Sequence, residues 1–273
     1  MLTRQKEFTS FILYFPAGLA AAAFAACGKQ LSLPLSFYGF APVLTLRLYT
    51  KGISDMVIIS PSLLACDFSI LGEMVADAEK GGAEYLHLDI MDGHFVPNLT
   101  FGTDVLKGLR PRSKMVFDTH LMLTDPYDYV PSFVKAGSDI ITFHVESSSP
   151  IEKTIDLIHS FGIKAGLSIK PGTPVEAIKE YIPKLDLILV MSVEPGFTGQ
   201  KFMPIAYEKI AALKEMRDAL NPSCKISVDG GVGIANANAL CTSGADILVA
   251  GAAVFRAPDI AKAVMDIRAE ANR

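Results

Sequence analysis

Residues 56–273 predict a single-domain α/β fold, a (β/α)8 TIM barrel, with an N-terminal extension over residues 1–55 outside it. Three observations predict this. From Met56 onward eight short apolar runs alternate with amphipathic stretches, the pattern of repeated parallel βαβ units. The unusual polar residues fall at the C-terminal ends of those runs, where such barrels place their chemistry. No Gly-x-Gly-x-x-Gly follows the first run, and a count of eight favours closure over an open, doubly wound sheet.

The expected strands, in order, are Val57–Ser60, Tyr85–Asp89, Met115–His120, Ile140–His144, Ala165–Ile169, Leu187–Met191, Lys225–Val228 and Ile247–Ala250. Helical spacing between them predicts helices over Leu71–Lys80, Pro131–Ala136, Ile151–Phe161, Pro174–Tyr181, Met203–Ala219, Ala235–Thr242 and Asp259–Ala271. Glycine closes helices just ahead of a strand at Gly82, Gly137, Gly162 and Gly244.

Composition bounds the function. The chain has 273 residues, 50% hydrophobic, enough for one large core. A net charge of −4 offers no basic footprint for nucleic acid. The four cysteines, Cys27, Cys66, Cys224 and Cys241, are scattered without a Cys-x-x-Cys pair. They read as small buried hydrophobes in a reducing compartment, not as a disulfide framework or a structural zinc site.

Side chains alternate faces along a strand. In the second strand His87, Asp89 and Met91 therefore share one face, and Leu86, Leu88 and Ile90 take the other, against the helices. In the third, His120 and Met122 share a face, and the seventh ends on Asp229. Three strand ends thus deliver His87, Asp89, His120 and Asp229 to one mouth. One inward His or Asp is most often just a hydrogen-bonded core residue. Four together suit one divalent metal ion, Zn, Fe, Mn or Co, with a position left open for substrate oxygens. The second and seventh strands lie well apart around the ring, so Asp89 and Asp229 can approach a substrate from opposite sides. Inverting a carbon next to a carbonyl needs that arrangement, with one group removing a proton and the other returning one. The metal would stabilise the enediolate between those steps. Met91, Met122 and Met191 point the same way, either as soft core packing or as a dry, polarisable wall beside the enediolate.

A phosphate site is the second expectation. The seventh strand runs into Asp229-Gly230-Gly231-Val232-Gly233 and the eighth into Ala250-Gly251-Ala252-Ala253. Loops at these positions commonly bind phosphate through backbone N–H groups and a short helix N-terminus. After the sixth strand, Glu194-Pro195-Gly196-Phe197-Thr198-Gly199-Gln200 reads as a lid with glycine hinges or as an ordinary glycine-rich connection.

With these residues in view, the sequence resembles the ribulose-phosphate 3-epimerase family. The resemblance rests on Ser60–Phe68, His87–Asn98, Asp118–Met122, Met191–Gln200 and Val228–Gly231, and spans essentially all of residues 57–271. It implies reversible epimerisation at C3 between D-ribulose 5-phosphate and D-xylulose 5-phosphate in the pentose phosphate pathway. It also implies a metal on His87, Asp89, His120 and Asp229, with Asp89 as proton acceptor and Asp229 as donor. Ser62 and His120 would touch the sugar. Gly196, Phe197, Thr198, Gly199, Gly230, Gly231, Gly251 and Ala252 would line the phosphate end. Two positions depart from the family pattern. Gly251-Ala252 stands where Gly-Ser is usual, and Gly-Phe-Thr-Gly where Gly-Phe-Gly-Gly is commoner. The threonine is tolerable if its φ is negative.

The nearest alternative is D-allulose-6-phosphate 3-epimerase, with the same metal site and a six-carbon substrate. A lyase of the orotidine phosphate decarboxylase group would carry a lysine near the second-strand Asp, where this chain has His87 and His120. An idle, anchored barrel draws support only from residues 1–55. That extension holds five basic and two acidic residues, against 20 and 27 in the remainder. Phe8 to Gly28 is uncharged and admits a membrane span or a signal peptide, with a weak lipoprotein reading at Cys27. Upstream sequence translated from an early start codon is the favoured reading, because a phosphorylated metabolite implies cytoplasmic chemistry. The expected partner is a small sugar phosphate, with no nucleic acid, no membrane unless the extension is a real anchor, and assembly as a homo-oligomer.

Overall fold

Eight parallel strands alternate with helices in the computed structural model, which describes residues 56–273. It also describes the backbone of two short strands ahead of them, Ser36–Tyr38 and Ala41–Val43, paired antiparallel. The chain divides into two units, Met1–Asp55 and Met56–Arg273. The span, signal-peptide and Cys27 readings fall outside the described residues. Among the described residues no helix is long and apolar enough to cross a membrane.

The barrel strands are β1 (Ile58–Pro61), β2 (Tyr85–Met91), β3 (Val116–Met122), β4 (Ile140–His144), β5 (Lys164–Ile169), β6 (Leu187–Met191), β7 (Lys225–Asp229) and β8 (Ile247–Ala250). Continuous ladders join them in the order β1-β8-β7-β6-β5-β4-β3-β2. The two edges, β1 and β2, meet through one parallel bridge, Ser62 to His87. The barrel is therefore nearly closed, and its seam lies beside residues expected to carry the chemistry. Strands β2 and β3 run two residues past their expected ends, because Ile90 and Met91 pair in register with Leu121 and Met122.

The alternation expected in β2 holds. Leu86, Leu88 and Ile90 join the large core between sheet and helices, which also takes Phe117, Leu121, Ile141 and Phe143. Each such fully buried side chain contributes about 1.5–3 kcal/mol. A second apolar cluster of Tyr85, Ile140, Leu187, Leu189 and Ile247 draws on the alternate strands β2, β4, β6 and β8. Alternate strands filling a shared layer is how a small barrel packs its interior.

The helices are α1 (Leu71–Lys80), α2 (Thr103–Leu109), α3 (Val130–Ala136), α4 (Ile151–Ser160), α5 (Ile205–Leu220), α6 (Ile234–Ser243), α7 (Ala252–Phe255) and α8 (Ile260–Ala271). The expected helices agree within two residues, with one exception. Pro174–Tyr181 is not an α-helix but two 3-10 turns, Val175–Ile178 and Ile182–Lys184. Pro174 and Pro183 bracket a segment too short to propagate, and Pro183 cannot donate to the carbonyl four residues back. Helices α2 and α7 are too short for their spacing to show in the sequence. Cys66 and Cys224 are buried, and burial pushes both thiols up to about 12, so neither is a nucleophile. Cys241 is half-buried rather than buried.

Candidate active site and metal centre

Strands β2 and β3 place three side chains at the seam in hydrogen-bonding range. The His87 and His120 rings are completely buried, with His87 Nε2 3.2 Å from His120 Nδ1. Asp89 Oδ1 sits 3.5 Å from each of those two nitrogens. Its other oxygen, Oδ2, accepts a 2.7 Å hydrogen bond from the Ser62 hydroxyl across the seam. Asp229, at the end of β7, completes the group. One ligand atom from each of His87, Asp89, His120 and Asp229 lies within 4.8 Å of the others. Two imidazoles and two carboxylates at that spacing fit a divalent metal of borderline hardness.

The electrostatics of this pocket are asymmetric. Burial raises the Asp229 carboxyl, and the neighbouring Asp89 charge raises it further, to about 7. Burial alone would also push Asp89 up. The His87 charge and the His120 ring outweigh it and hold the Asp89 carboxyl well below the usual range. Burial opposes charge on His87, but Asp89 and Asp118 together raise it well above an ordinary histidine. Two carboxyls at one site are thus pushed in opposite directions, Asp89 held ionised and Asp229 only partly ionised near neutral pH.

A cavity of about 310 Å³ opens above these residues. Ser62, Asp89, Asp229, Met91, Met122 and Met191 are among the residues that line it. The methionines are almost fully buried. Gly196 to Gly199, Gly230 to Gly233 and Gly251 to Ala253 line it as well. Gly230 and Gly231 have φ of +119° and +63°, and a Cβ on Gly231 would stand 2.7 Å from the Phe202 nitrogen. That turn admits only glycine without strain. Gly251 caps α7, whose first N–H groups have no partner within the helix and belong to residues that line the cavity. Thr198 keeps a negative φ, since no described non-glycine residue has a positive one. Phe197, in the loop after β6, is 55% exposed.

The comparisons with known proteins bear on what this cavity does. The model of the "Ribulose-phosphate 3 epimerase family" matches residues 58–255. A ribulose-phosphate 3-epimerase of Aquifex aeolicus is 45% identical over 205 residues, covering 75% of this chain and 92% of its own length. The chain belongs to this family. A Bacillus subtilis member is 44% identical over 214 residues, covering 78% of this chain and 99% of its own. A solved orotidine 5'-phosphate decarboxylase from Pyrococcus horikoshii superposes with a TM-score of 0.58 at 15% identity, covering 79% of this chain and 100% of its own. At that identity the likeness extends to the fold alone.

Within the family frame, several residues beyond the sequence expectations position the site. His87 Nδ1 meets Asp118 Oδ2 at 2.9 Å, and Asp118 Oδ1 accepts from Thr142 Oγ1 at 3.1 Å. Asp118 shares the inward face of His120 and Met122, so alternation alone could have found it. Ser192 holds the Asp229-Gly230 turn, its N–H donating to the Asp229 carbonyl at 2.7 Å and its hydroxyl donating to the Gly230 carbonyl at 2.6 Å. Asn98 Nδ2 donates to the Gly196 carbonyl at 2.7 Å, tying the loop after β2 to the loop after β6. Gln200 Nε2 donates to the Glu194 and Phe197 carbonyls within that second loop. These contacts are tertiary or confined to one loop, and they left no periodic pattern.

Proposed function

We propose that this chain epimerises D-ribulose 5-phosphate and D-xylulose 5-phosphate at C3, with Asp89 and Asp229 exchanging the proton. The activity, an isomerisation in carbohydrate metabolism, is that of the family. The observation that carries the residue roles is the cluster of four ligand atoms within 4.8 Å, two of whose residues, Asp89 and Asp229, line a cavity that glycine turns also line.

His87 Nε2, His120 Nδ1, one Asp89 oxygen and one Asp229 oxygen would hold one divalent cation. When bound, it supplies Lewis-acid stabilisation of negative charge on the substrate's oxygens. The chain's own groups do the rest. Asp89, ionised and oriented by Ser62, takes the C3 proton of ribulose 5-phosphate. Asp229, three positions away around the strand order, delivers a proton to the opposite face of C3. In the reverse direction the roles exchange. The methionine wall keeps water from the carbanionic carbon, and the backbone N–H groups of Gly231, Gly251 and Ala252 receive the phosphate.

The relatives carry the pentulose name, which favours ribulose 5-phosphate over allulose 6-phosphate. Comparing kcat/KM for the two is the test. A preference of tenfold or more for ribulose 5-phosphate is expected, and a preference for the hexulose would reverse the assignment.

Ala252 offers a second check. A serine hydroxyl at this first helical position would add one hydrogen bond to phosphate, and a charge-assisted bond contributes about 1.5–3 kcal/mol at most. Ala252→Ser is expected to lower KM about five- to tenfold with kcat unchanged, as read from steady-state kinetics. An unchanged KM would place the phosphate elsewhere.

A further inference from the structure

Beyond the four candidate ligands, a line of buried polar groups leads away from His120. Its Nε2 lies 2.9 Å from Nε2 of His144, the last residue of β4. His144 is completely buried, and its Nδ1 lies 3.0 Å from Glu146 Oε2. The other Glu146 oxygen accepts from the Lys170 N–H at 2.9 Å and from the Thr173 hydroxyl. The Phe95 ring packs tilted against the His144 ring, with centroids 4.9 Å apart.

Hydrogen-bond direction along this line is forced. Two ring nitrogens 2.9 Å apart cannot both carry a hydrogen, nor both be bare. Glu146 is fixed as an acceptor by its own donors. Burial would push it up, but the bond from His144 and those from Lys170 and Thr173 hold it down at about 2. With a single hydrogen on its ring, His144 must therefore donate from Nδ1 and accept at Nε2. His120 must then donate from Nε2, which leaves its Nδ1 bare and facing His87 Nε2 and Asp89.

We infer that Glu146 and His144 are positioning residues that fix the His120 tautomer, presenting the Nδ1 lone pair to the metal site before any metal arrives. This rests on the proposed metal reading of the four residues, but the tautomer itself can be read without metal. Asp118 takes the Nδ1 hydrogen of His87, so His87 faces the site with Nε2, whose own hydrogen points at the bare His120 Nδ1 and must leave before a metal can bind there. A hydrogen-bonded outer shell of this kind typically controls metal affinity about 10–100-fold.

Glu146→Gln tests it. The two donors at Oε1 call for the amide oxygen there, so the amide NH2 faces His144 Nδ1. His144 must then accept at Nδ1 and carry its hydrogen on Nε2, against His120. His120 is driven to the form protonated on Nδ1, the nitrogen that faces the metal site. The volume is unchanged, so the barrel should melt within a few degrees of wild type.

Two measurements decide the matter. In metal-free wild type, 15N NMR of the histidine rings should show His120 protonated on Nε2 and bare on Nδ1. In Glu146→Gln, the dissociation constant for Co2+ should rise tenfold or more. Protonation of His120 on Nδ1 in the wild type overturns the inference, as does a smaller change in Co2+ affinity in a folded variant. If Glu146→Gln does not fold, the wild-type NMR decides alone. If wild type takes up no Co2+, the metal reading fails while the tautomer is still decided by NMR.

Discussion

Asp89→Asn and Asp229→Asn are each expected to lower kcat for epimerisation by about 10³-fold or more while the barrel stays folded. A positioned general acid or base contributes about 10²–10⁴-fold, and 10³-fold corresponds to about 4 kcal/mol of barrier. The effect should be equally severe at both positions, because inversion needs both faces of C3 served. A one-base mechanism would spare one of them. Folding should survive because asparagine keeps the shape of the carboxylate. In Asp89→Asn the side-chain amide oxygen can still accept the hydrogen bond from Ser62. Thermal melting checks the fold and a coupled assay checks the rate. Near-wild-type turnover in either variant would remove that aspartate from the proton path.

Removing divalent metal is expected to have a comparable effect on rate. Exhaustive chelation should reduce turnover by about 10³-fold, and adding back Zn, Mn, Co or Fe(II) should restore it, since charge stabilisation by a bound cation contributes several kcal/mol. The restoration should depend on pH in a defined direction. In the metal-free site burial and Asp89 raise the Asp229 carboxyl to about 7. Below that pH a proton must leave before Asp229 can act as a ligand. The metal concentration for half-restoration should therefore rise as pH falls below about 7, with Asp229 alone contributing a factor approaching tenfold per pH unit and the proton that His87 must also release adding to it. Above that pH the dependence on Asp229 should level off. A chelated enzyme with undiminished rate would remove the metal from the account.

The barrel is legible in the sequence because the two periodicities, two residues for strands and 3.6 for helices, alternate along most of it, the exception being the stretch between β2 and β3, where α2 is too short to show. The mouth is legible for the same reason. Once β2 and β3 are placed, alternation settles which way His87, Asp89 and His120 point. Alternation does not reveal partnership. Asp118 lies deeper than the mouth, and its bond to His87 follows from register between two strands 31 residues apart. Glu146 lies beyond the end of β4, in a segment with no period, and reaches His120 only through His144. The segment Pro174–Tyr181 shows the opposite failure. Its apolar spacing is helical, and the two prolines that bracket it decide the outcome. The glycine turns at Gly230 and Gly231 are legible as turns, whereas the 2.7 Å approach of Phe202 that makes Gly231 obligatory is a tertiary fact.

Hydrogen exchange at C3 in the two aspartate variants tests the two-base claim most directly. In D2O, Asp229→Asn retains the base that serves ribulose 5-phosphate, and Asp89→Asn retains the base that serves xylulose 5-phosphate. NMR should show deuterium entering C3 of ribulose 5-phosphate with Asp229→Asn, without conversion to xylulose 5-phosphate. Asp89→Asn should give the mirror result, with exchange confined to xylulose 5-phosphate. Exchange of both epimers by either variant, or inversion by either, would contradict the assignment of one aspartate to each face.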